Sequence, residues 1–251
     1  MRLERLAMRI AVIADIHANL EALQAVLGRI AELAVDEIVC LGDIVGYHAN
    51  PNECVDIIRS RKIVSVLGNH DACASGLENP YRFNAHAWAA VIWTREHLTE
   101  GNRSFLRNLP REMRVHDFYL MHGSIHDTNR YLLSRADAVD NFQLLAGLPG
   151  ALKLGFFGHT HVGTAFIDHQ GSISNDLSSE LSLSPGTRYL INPGSVGQPR
   201  DDDPRASFLV YDRDERTMLF FRVEYDIKAC QDKIVRAGLP PQLAWRLDQG
   251  Q

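Results

Sequence analysis

The sequence predicts an α/β protein, because short apolar runs alternate with helical patterns in its first half and with turns in its second half. Residues 10–14, 38–41 and 63–67 are strand-like, and the stretches between them have helical spacing, which favours βαβ units and a largely parallel sheet. Strand-like runs after residue 161 follow one another without helices, and they predict a second, more antiparallel sheet.

Local signals define the first elements of this pattern. Residues 10–14 form a short apolar run with a polar end, as expected for a buried strand. Asn19 is a favourable N-cap for a helix over 20–34, in which leucine and isoleucine side chains recur at helical spacing. Pro51 suits the first turn of a second helix over 51–61.

Helical patterning over residues 81–109 has two interpretations. The first is a packing helix with Trp88 and Trp93 in the core, which we favour because large aromatic side chains are usually packed inside. The second is a lid, an insertion over 80–110 that contacts the leaving group of a substrate. A further helix is predicted over 137–148.

The second half of the chain is read mainly as strands and turns. Strands are predicted over 162–168, 189–192, 207–211 and 218–225, with a hairpin loop at 212–216. The serine-rich residues 171–186 are expected to form an exposed loop. Residues 227–247 have a helical pattern with a break at Pro240-Pro241, and this tail could cover one face or join a homodimer.

Five short blocks rich in metal-ligand side chains each follow a strand-like run. The blocks are Asp15-Ile16-His17, Gly42-Asp43, Gly68-Asn69-His70-Asp71, His122-Gly123 and Gly158-His159-Thr160-His161. The runs before them are 10–14, 38–41, 63–67, 118–121 and 152–157. Strands that stop together at one edge of a sheet would bring these side chains into one site.

A single histidine or aspartate at the end of a strand is most often a cap, a turn residue or a packed polar group. Five such blocks together predict a metal centre instead. Carboxylates, a carboxamide and imidazoles form a mixed nitrogen and oxygen donor set suited to Mn, Fe, Zn or Ni. The number of ligands favours two adjacent ions over one.

The ordered blocks, together with Asn192-Pro193-Gly194-Ser195-Val196, resemble the calcineurin-like metallophosphoesterase superfamily, and within it the small prokaryotic phosphodiesterase branch. The resemblance extends from about residue 8 to residue 225. It implies a four-layer αββα sandwich of two mixed sheets flanked by helices, with a dinuclear metal site at the ends of the strands.

The resemblance also implies a role for each residue of the blocks. It assigns Asp15, His17 and His161 to the first ion, Asn69, His122 and His159 to the second, and Asp43 to both. His70 would stay off the metals and face the phosphate of the substrate as a catalytic residue. Asp71 would orient the His70 imidazole or, equally well, cap a helix.

These residue types suit the hydrolysis of phosphate esters. Two ions roughly 3.5–4 Å apart bind phosphoryl oxygens and turn a bridging water into hydroxide near neutral pH. A bridging ligand needs two oxygens, which Asp43 has and a histidine lacks. His70 can give a hydrogen bond or a proton to the leaving oxygen, a step typically worth about 10²–10⁴-fold in rate.

The loop over 194–200 is the most informative segment outside the blocks. Its glycines allow backbone amides to approach a phosphate, and Arg200 or Arg205 could clamp a second phosphate. The alternative for both arginines is a surface ion pair with the carboxylates at 201–203. Ser195 and Asn19 are the other candidate substrate-binding residues.

Residues 42–47 and 51–54 also resemble a subgroup that acts on diadenosine polyphosphates, although His48 and Ile125-His126 depart from its usual pattern. A dinucleoside polyphosphate such as diadenosine tetraphosphate is therefore the favoured substrate. One alternative is a general phosphodiesterase or phosphatase acting on cyclic nucleotides or other phosphate esters. Another is a non-catalytic metal-binding interaction scaffold, but such members typically lack ligands or the histidine at the position of His70.

Length and composition limit the other possibilities. The 251 residues, 45% of them hydrophobic, suit a single domain over 1–251, because the blocks extend from Asp15 to His161 and an earlier boundary would split the site. Residues 1–7 precede a second methionine, Met8, and are expected to be a disordered extension or a choice of start codon.

Charge and cysteine content bear on partners and location. The net charge of −5 argues against binding to duplex nucleic acid and suits a small anionic substrate at a cationic metal centre. Four cysteines without a Cys-x-x-Cys pair suggest free thiols in a reducing compartment. Because no run is long enough for a signal peptide or a membrane span, we expect a cytoplasmic protein.

Overall fold

The structure, a computed structural model, describes residues 8–251, so the predicted extension at 1–7 lies outside the described residues. The strands are β1 (Arg9–Ile13), β2 (Glu37–Cys40), β3 (Val64–Ser65), β4 (Glu112–Val115), β5 (Phe118–Met121), β6 (Leu154–Phe156), β7 (Gly163–His169), β8 (Ser172–Asp176), β9 (Glu180–Ser182), β10 (Arg188–Pro193), β11 (Ala206–Asp212) and β12 (Thr217–Val223). The helices are α1 (Leu20–Glu32), α2 (Pro51–Ser60), α3 (Asn69–Ser75), α4 (Ala85–His97), α5 (Glu100–Arg107), α6 (Arg135–Gly147), α7 (Ile227–Arg236) and α8 (Pro241–Trp245). Short 3-10 turns occur at Pro80–Arg82 and Leu247–Gln249.

The strands form two mixed sheets of six strands each. The first has the order β3-β2-β1-β11-β12-β9, and the second has the order β4-β5-β6-β10-β7-β8. In the first sheet β2 is parallel to both of its neighbours, β1 and β3. In the second sheet β6 is parallel to both of its neighbours, β5 and β10. The remaining pairs are antiparallel. The predicted α/β class with two mixed sheets is confirmed.

Alternating side chains build a four-layer sandwich. Val12 of β1 and Phe156 of β6 belong to the core between the two sheets. Ile13, the next residue of β1, faces the other way and packs with Leu23 of α1. Phe142 of α6 belongs to a third cluster on the outer face of the second sheet. Helices therefore cover both outer faces, and the predicted αββα arrangement is confirmed.

The sequence predicts that the strands of the second half form one sheet of their own. In the structure they are divided between the two sheets. β11 pairs antiparallel with β1 in the first sheet, where Val12 lies opposite Leu209. β7 and β10 join the second sheet beside β6. The prediction was wrong here because a local apolar pattern shows that a strand is buried but does not specify its partner.

The prediction of a loop over 171–186 was also wrong. This segment contains β8, which pairs with β7, and β9, which pairs with β12. Both strands lie at the edge of a sheet. Most of their side chains are exposed or half-buried, so the apolar alternation that identifies a strand is weak.

Several capping signals are confirmed in the structure. The Asn19 side chain accepts a hydrogen bond from the Ala22 amide at the start of α1, and Pro51 begins α2. The tail forms α7 and α8 with a break at the two prolines, and Lys233 of α7 pairs with Glu21 of α1. The tail therefore covers one face of the molecule, which was one of the two predicted roles.

One smaller prediction needs correction. Trp88 of α4 is 49% exposed, so only Trp93 takes part in a core, the one beneath α7 and α8. All four cysteines are buried and are free thiols. No helix within residues 8–251 is long and apolar enough to cross a membrane.

Candidate metal centre

The five blocks meet at one end of the sandwich, where strands from both sheets stop. Asp15 and His17 follow β1, and Asp43 follows β2, both in the first sheet. His122 follows β5 and His159 follows β6, both in the second sheet. The site therefore lies where the edges of two sheets meet, and not at the edge of one sheet as the strand pattern alone suggested.

The backbone of these loops is unusual. Asp15, His17, Asp43, His159 and His161 all have positive φ angles, between 50° and 67°. Such conformations are costly for residues with a side chain, and they cluster at functional sites where the surrounding structure imposes them. The turns direct the side chains back toward one another.

Three side chains form the first candidate ligand group. The Nε2 atoms of His17 and His161 are 3.0 Å apart. Asp15 Oδ1 lies 3.6 Å from His161 Nε2 and 3.9 Å from His17 Nε2. These three buried residues have ligand atoms within 4.8 Å of one another, which is a spacing that one cation can bridge.

A second group forms beside the first. His122 Nε2 lies 3.0 Å from Asn69 Oδ1 and 3.3 Å from Asp43 Oδ2. His159 completes this group, with ligand atoms of Asp43, His122 and His159 within 4.8 Å of one another. The Asn69 oxygen is neutral, so this group has one carboxylate and two imidazoles among its donors.

Asp43 connects the two groups. Its Oδ2 atom lies 3.5 Å from His17 Nε2 of the first group and 3.3 Å from His122 Nε2 of the second. Oδ2 is fully buried and has no hydrogen-bond partner among the described residues, whereas Oδ1 accepts a hydrogen bond from the His70 amide at 2.8 Å. A buried carboxylate oxygen without a partner is costly unless a cation or proton occupies the space before it.

In three histidines of the cluster, Nδ1 forms a hydrogen bond with a backbone carbonyl, whereas Nε2 faces the other ligands. His17 Nδ1 lies 3.2 Å from Val45 O, His122 Nδ1 lies 2.8 Å from Leu41 O, and His161 Nδ1 lies 2.5 Å from Gln198 O. A carbonyl can only accept a hydrogen bond, so Nδ1 carries the proton and the Nε2 lone pair is directed into the cluster. This is the usual orientation of metal-binding histidines.

The charges of Asp43 and His122 depend on each other. Burial opposes ionisation of both groups, but their mutual attraction outweighs it. This attraction lowers the pKa of Asp43 to about 2 and raises the pKa of His122 to about 9. Burial raises the pKa of Asp15 to about 7. Without a cation, a proton on His122 balances the carboxylate, and a bound cation would replace that proton.

His70 lies against the cluster at the start of α3. Its ring is 4.5 Å from the rings of Tyr47 and Phe83 and 4.8 Å from that of His17, and its buried Nδ1 has no described hydrogen-bond partner. A ligand atom of His70 also comes within 4.8 Å of ligand atoms of His17 and Asp43. Burial lowers the pKa of His70 to about 4, which favours the neutral ring near pH 7.

Asp71 does not orient His70. Its Oδ2 accepts a hydrogen bond from the Gly68 amide at 3.1 Å, as in a capping box, and its Oδ1 accepts one from the Val45 amide at 3.0 Å. The helix-cap interpretation is therefore the correct one of the two. Asp71 also ties the loop after β2 to the start of α3.

The two candidate arginines have different positions. Arg200 donates to the Tyr47 hydroxyl at 3.2 Å and to Gln198 Oε1 at 3.0 Å, and its buried Nε has no described partner. Its backbone amide donates to His161 O, so the loop is fixed beside the first ligand group. Arg205 instead forms an exposed ion pair with Asp203 at 2.7 Å, which is the surface alternative considered for both.

Asn19 and Ser195, the other two candidate substrate-binding residues, take part in hydrogen bonds within the protein. Asn19 caps α1 and donates through Nδ2 to Gly197 O at 2.9 Å. The Ser195 hydroxyl donates to Asp15 O and accepts from the Gln198 amide, both at 2.8 Å. Both side chains are fully buried, and they fix the 195–198 loop against the Asp15 turn.

Aromatic residues surround the cluster, and of these Tyr47 and Phe83 were not among the site residues predicted from the sequence. Tyr47 lies 4.5 Å from His17 and from His70, measured between ring centroids, and Tyr131 stacks on His159 at 3.9 Å. Phe83 comes from the segment considered as a lid and reaches His70. Only its closeness in sequence to the Gly42-Asp43 block could have suggested Tyr47, and no local signal indicates Phe83.

The two facing mixed sheets, with a buried cluster of histidines and carboxylates at the strand ends, agree with the metallophosphoesterase resemblance of the blocks. The family model of the calcineurin-like phosphoesterase superfamily domain matches residues 8–216 of the chain. The chain therefore belongs to this family, as the resemblance of the blocks implied, and it is a metal-dependent phosphohydrolase.

Similar proteins cover almost the whole chain. An uncharacterised protein of Methanocaldococcus jannaschii, MJ0912, is 39% identical over 96% of this chain and 98% of its own length. The crystal structure of a metallophosphoesterase from Sphaerobacter thermophilus is also 39% identical, with a TM-score of 0.84, over 98% of this chain and all of the other. The hypothetical protein PH1004 of Pyrococcus horikoshii shares the fold at 21% identity, with a TM-score of 0.81, over 97% of this chain and 99% of its own.

Proposed function

We propose that the protein hydrolyses a phosphoanhydride or phosphodiester bond in a nucleotide, with a dinucleoside polyphosphate such as diadenosine tetraphosphate as the favoured substrate. The observation that carries this proposal is the position of Arg200. The half-buried Arg200 side chain, whose buried Nε has no described partner, lies beside the ligand cluster, where it can bind a phosphate that the metals do not reach.

The proposal includes two metal ions. Asp15, His17 and His161 would hold the first. Asn69, His122 and His159 would hold the second, and Asp43 would hold both. The unpartnered Asp43 Oδ2 and the inward lone pairs of the histidines support this assignment, because each needs a cation or proton to balance it. The donor set suits Mn, Fe, Zn or Ni.

Bound cations would supply Lewis-acid activation of the phosphoryl group and would lower the pKa of a water molecule. The reaction forms a bond between a water oxygen and phosphorus and breaks the bond from phosphorus to the leaving oxygen. The water loses a proton and the leaving oxygen gains one. His70, held between Tyr47 and Phe83, would donate the hydrogen bond or proton to that leaving oxygen.

Arg200 would select for substrates with more than one phosphate. Its guanidinium carbon lies 5.8 Å from the centre of the Tyr47 ring, and hydrogen bonds to Tyr47 and Gln198 restrict its motion. A cation held in place binds a phosphate without first losing side-chain entropy. A phosphate monoester would use only the metals, whereas a polyphosphate would also use Arg200.

The test is a substrate panel on metal-reconstituted protein, with metal content measured by elemental analysis. The panel compares diadenosine tetraphosphate, cyclic nucleotides and p-nitrophenyl esters. We expect two ions per chain and the highest kcat/KM for the dinucleotide. A higher kcat/KM for cyclic nucleotides would replace the proposal by a general phosphodiesterase. Absence of turnover on every substrate despite full metal content would favour the interaction scaffold.

A further inference from the structure

Two adjoining cavities open beside His70, and Arg200 lines neither of them. The inner cavity has a volume of about 280 Å³ and reaches from His70 and His159 to Arg82. The outer cavity, about 250 Å³, shares Arg82 with the inner one and continues to Tyr81. Together they are in the size range of roughly 300–1,000 Å³ typical of small-molecule sites.

The charge of these cavities is set by one arginine. No carboxylate of residues 8–251 lies within ion-pair distance of Arg82, and its guanidinium carbon lies 5.7 Å from the Tyr81 ring. Glu78, which lines the outer cavity, is already paired with Arg111 at 2.7 Å. The inner cavity has no carboxylate among its lining residues. An anionic group would therefore be attracted to Arg82, because the one carboxylate of the outer cavity is already paired with Arg111.

Aromatic rings line the route from the ligand cluster to Arg82. Phe83 contacts the His70 ring, and Tyr131 stacks on the His159 ring, so the inner cavity has a ring on the side of each histidine. Tyr81, at the far end, is 74% exposed, and Arg82 lies against it. A planar group beyond Arg82 would find an accessible ring on which to stack.

We propose that the two cavities bind the leaving group of the reaction, and that this leaving group is a nucleotide. A phosphate of the leaving group binds Arg82, and its base stacks on Tyr81. This inference rests on the proposed function, because His70 serves the leaving oxygen and the cavities begin at His70. Arg200 lines neither cavity, although it donates to Tyr47 of the inner one, so Arg82 and Arg200 would bind different phosphates of the substrate.

Steady-state kinetics on diadenosine tetraphosphate and bis(p-nitrophenyl) phosphate test the inference. We expect Arg82→Ala to lower kcat/KM at least tenfold more for the dinucleotide than for the ester, and Arg82→Lys to restore part of the difference. Tyr81→Ala should lower kcat/KM for the dinucleotide about fivefold. Arg59→Ala, which removes an exposed arginine paired with Asp56 on α2, is the control and should match the wild type. Equal losses on both substrates in Arg82→Ala would overturn the inference.

A second measurement separates this inference from the proposed function. If the wild type hydrolyses the ester but no dinucleotide, the proposed substrate is wrong, and binding of AMP to the metal-loaded protein is then measured by calorimetry. A tenfold or greater loss of AMP affinity in Arg82→Ala still supports a nucleotide site in the cavities. Equal AMP affinity in the wild type and Arg82→Ala, or no AMP binding at all, overturns it.

Discussion

A single carboxylate, that of Asp43, joins the two halves of the histidine cluster. One of its oxygens is held by the His70 amide, and the other lies within 3.5 Å of a histidine from each ligand group. The same residue therefore fixes the start of α3, which carries His70, and balances the charge of the cluster. A histidine could not replace Asp43 in both tasks, because its two ring nitrogens point in different directions.

The first prediction concerns His70. His70→Ala should retain both metals and lower kcat roughly 10²-fold or more, because the leaving oxygen loses its donor. The loss should be larger for alkyl leaving groups, which need a proton, than for p-nitrophenolate. Kinetics on both kinds of ester, with elemental analysis of each preparation, make the comparison.

A matched control for His70 is His126→Ala, because His126 pairs with Glu112 at an exposed position. This variant should have wild-type kinetics. If His70→Ala loses a metal ion, or turns over poor leaving groups at the wild-type rate, then His70 is not the leaving-group donor.

The second prediction separates the two arginines of the 200–205 segment. Arg200→Ala should raise KM for diadenosine tetraphosphate at least tenfold more than KM for p-nitrophenyl phosphate, because only the polyphosphate has a group that reaches Arg200. Arg205→Ala removes the same charge from an exposed ion pair and should change neither value. Equal effects of Arg200→Ala on both substrates would exclude a clamp on a remote phosphate.

At the scale of the elements, the chemistry depends on the turns that end the strands. The loop after β2 runs from Gly42 to Tyr47. Four of its residues have positive φ angles, namely Gly42, Asp43, Gly46 and Tyr47. A Cβ atom on Gly46 would lie 2.4 Å from His70 Nδ1. This loop therefore leaves room for the His70 ring only because it has no side chain at position 46.

The third prediction follows from that contact. Gly46→Ala should lower the free energy of unfolding by about 1–3 kcal/mol, because alanine is strained at a φ of +105°. It should also lower kcat at least tenfold, because His70 must shift. Chemical denaturation and steady-state kinetics measure the two effects.

Gly171→Ala is the control for backbone strain alone. Gly171 has a φ of +89°, but no atom lies within 4 Å of the position of its added Cβ. This variant should lose stability and keep its activity. If Gly46→Ala and Gly171→Ala behave alike in turnover, the Gly46 loop does not position His70.

At the scale of the whole molecule, the site joins the two sheets. Asp15, His17 and Asp43 come from the first sheet, whereas His122 and His159 come from the second. A cation shared by both sets would link the layers of the sandwich at one end. The metals would then contribute to the stability of the fold as well as to the reaction.

The fourth prediction is that chelation lowers the melting temperature. At a metal concentration of about 100 times Kd, binding contributes about 2.7 kcal/mol for each site. For a protein of this size that corresponds to a change in Tm of roughly 5–10 °C per site. Calorimetry with and without a chelator measures the change, and re-addition of Mn or Zn should reverse it. An unchanged Tm would mean that no cation links the sheets.

The sequence by itself determined the family, the order of the ligand blocks, the cap at Asn19 and the four-layer arrangement that the family implies. These features are local, because a few adjacent residues specify a strand end, a cap or a motif. The ligand roles and His70 remain proposals, although the residues concerned lie together as expected.

The tertiary structure decided what depends on partners distant in the chain. It placed β11 beside β1, made strands of β8 and β9, turned Arg200 toward the cluster and left Arg205 in an exposed ion pair. It also brought Phe83 to His70 from a segment without a motif. A short segment specifies how its own residues are buried, but which strand, ion or ring it meets is fixed only when the whole chain packs.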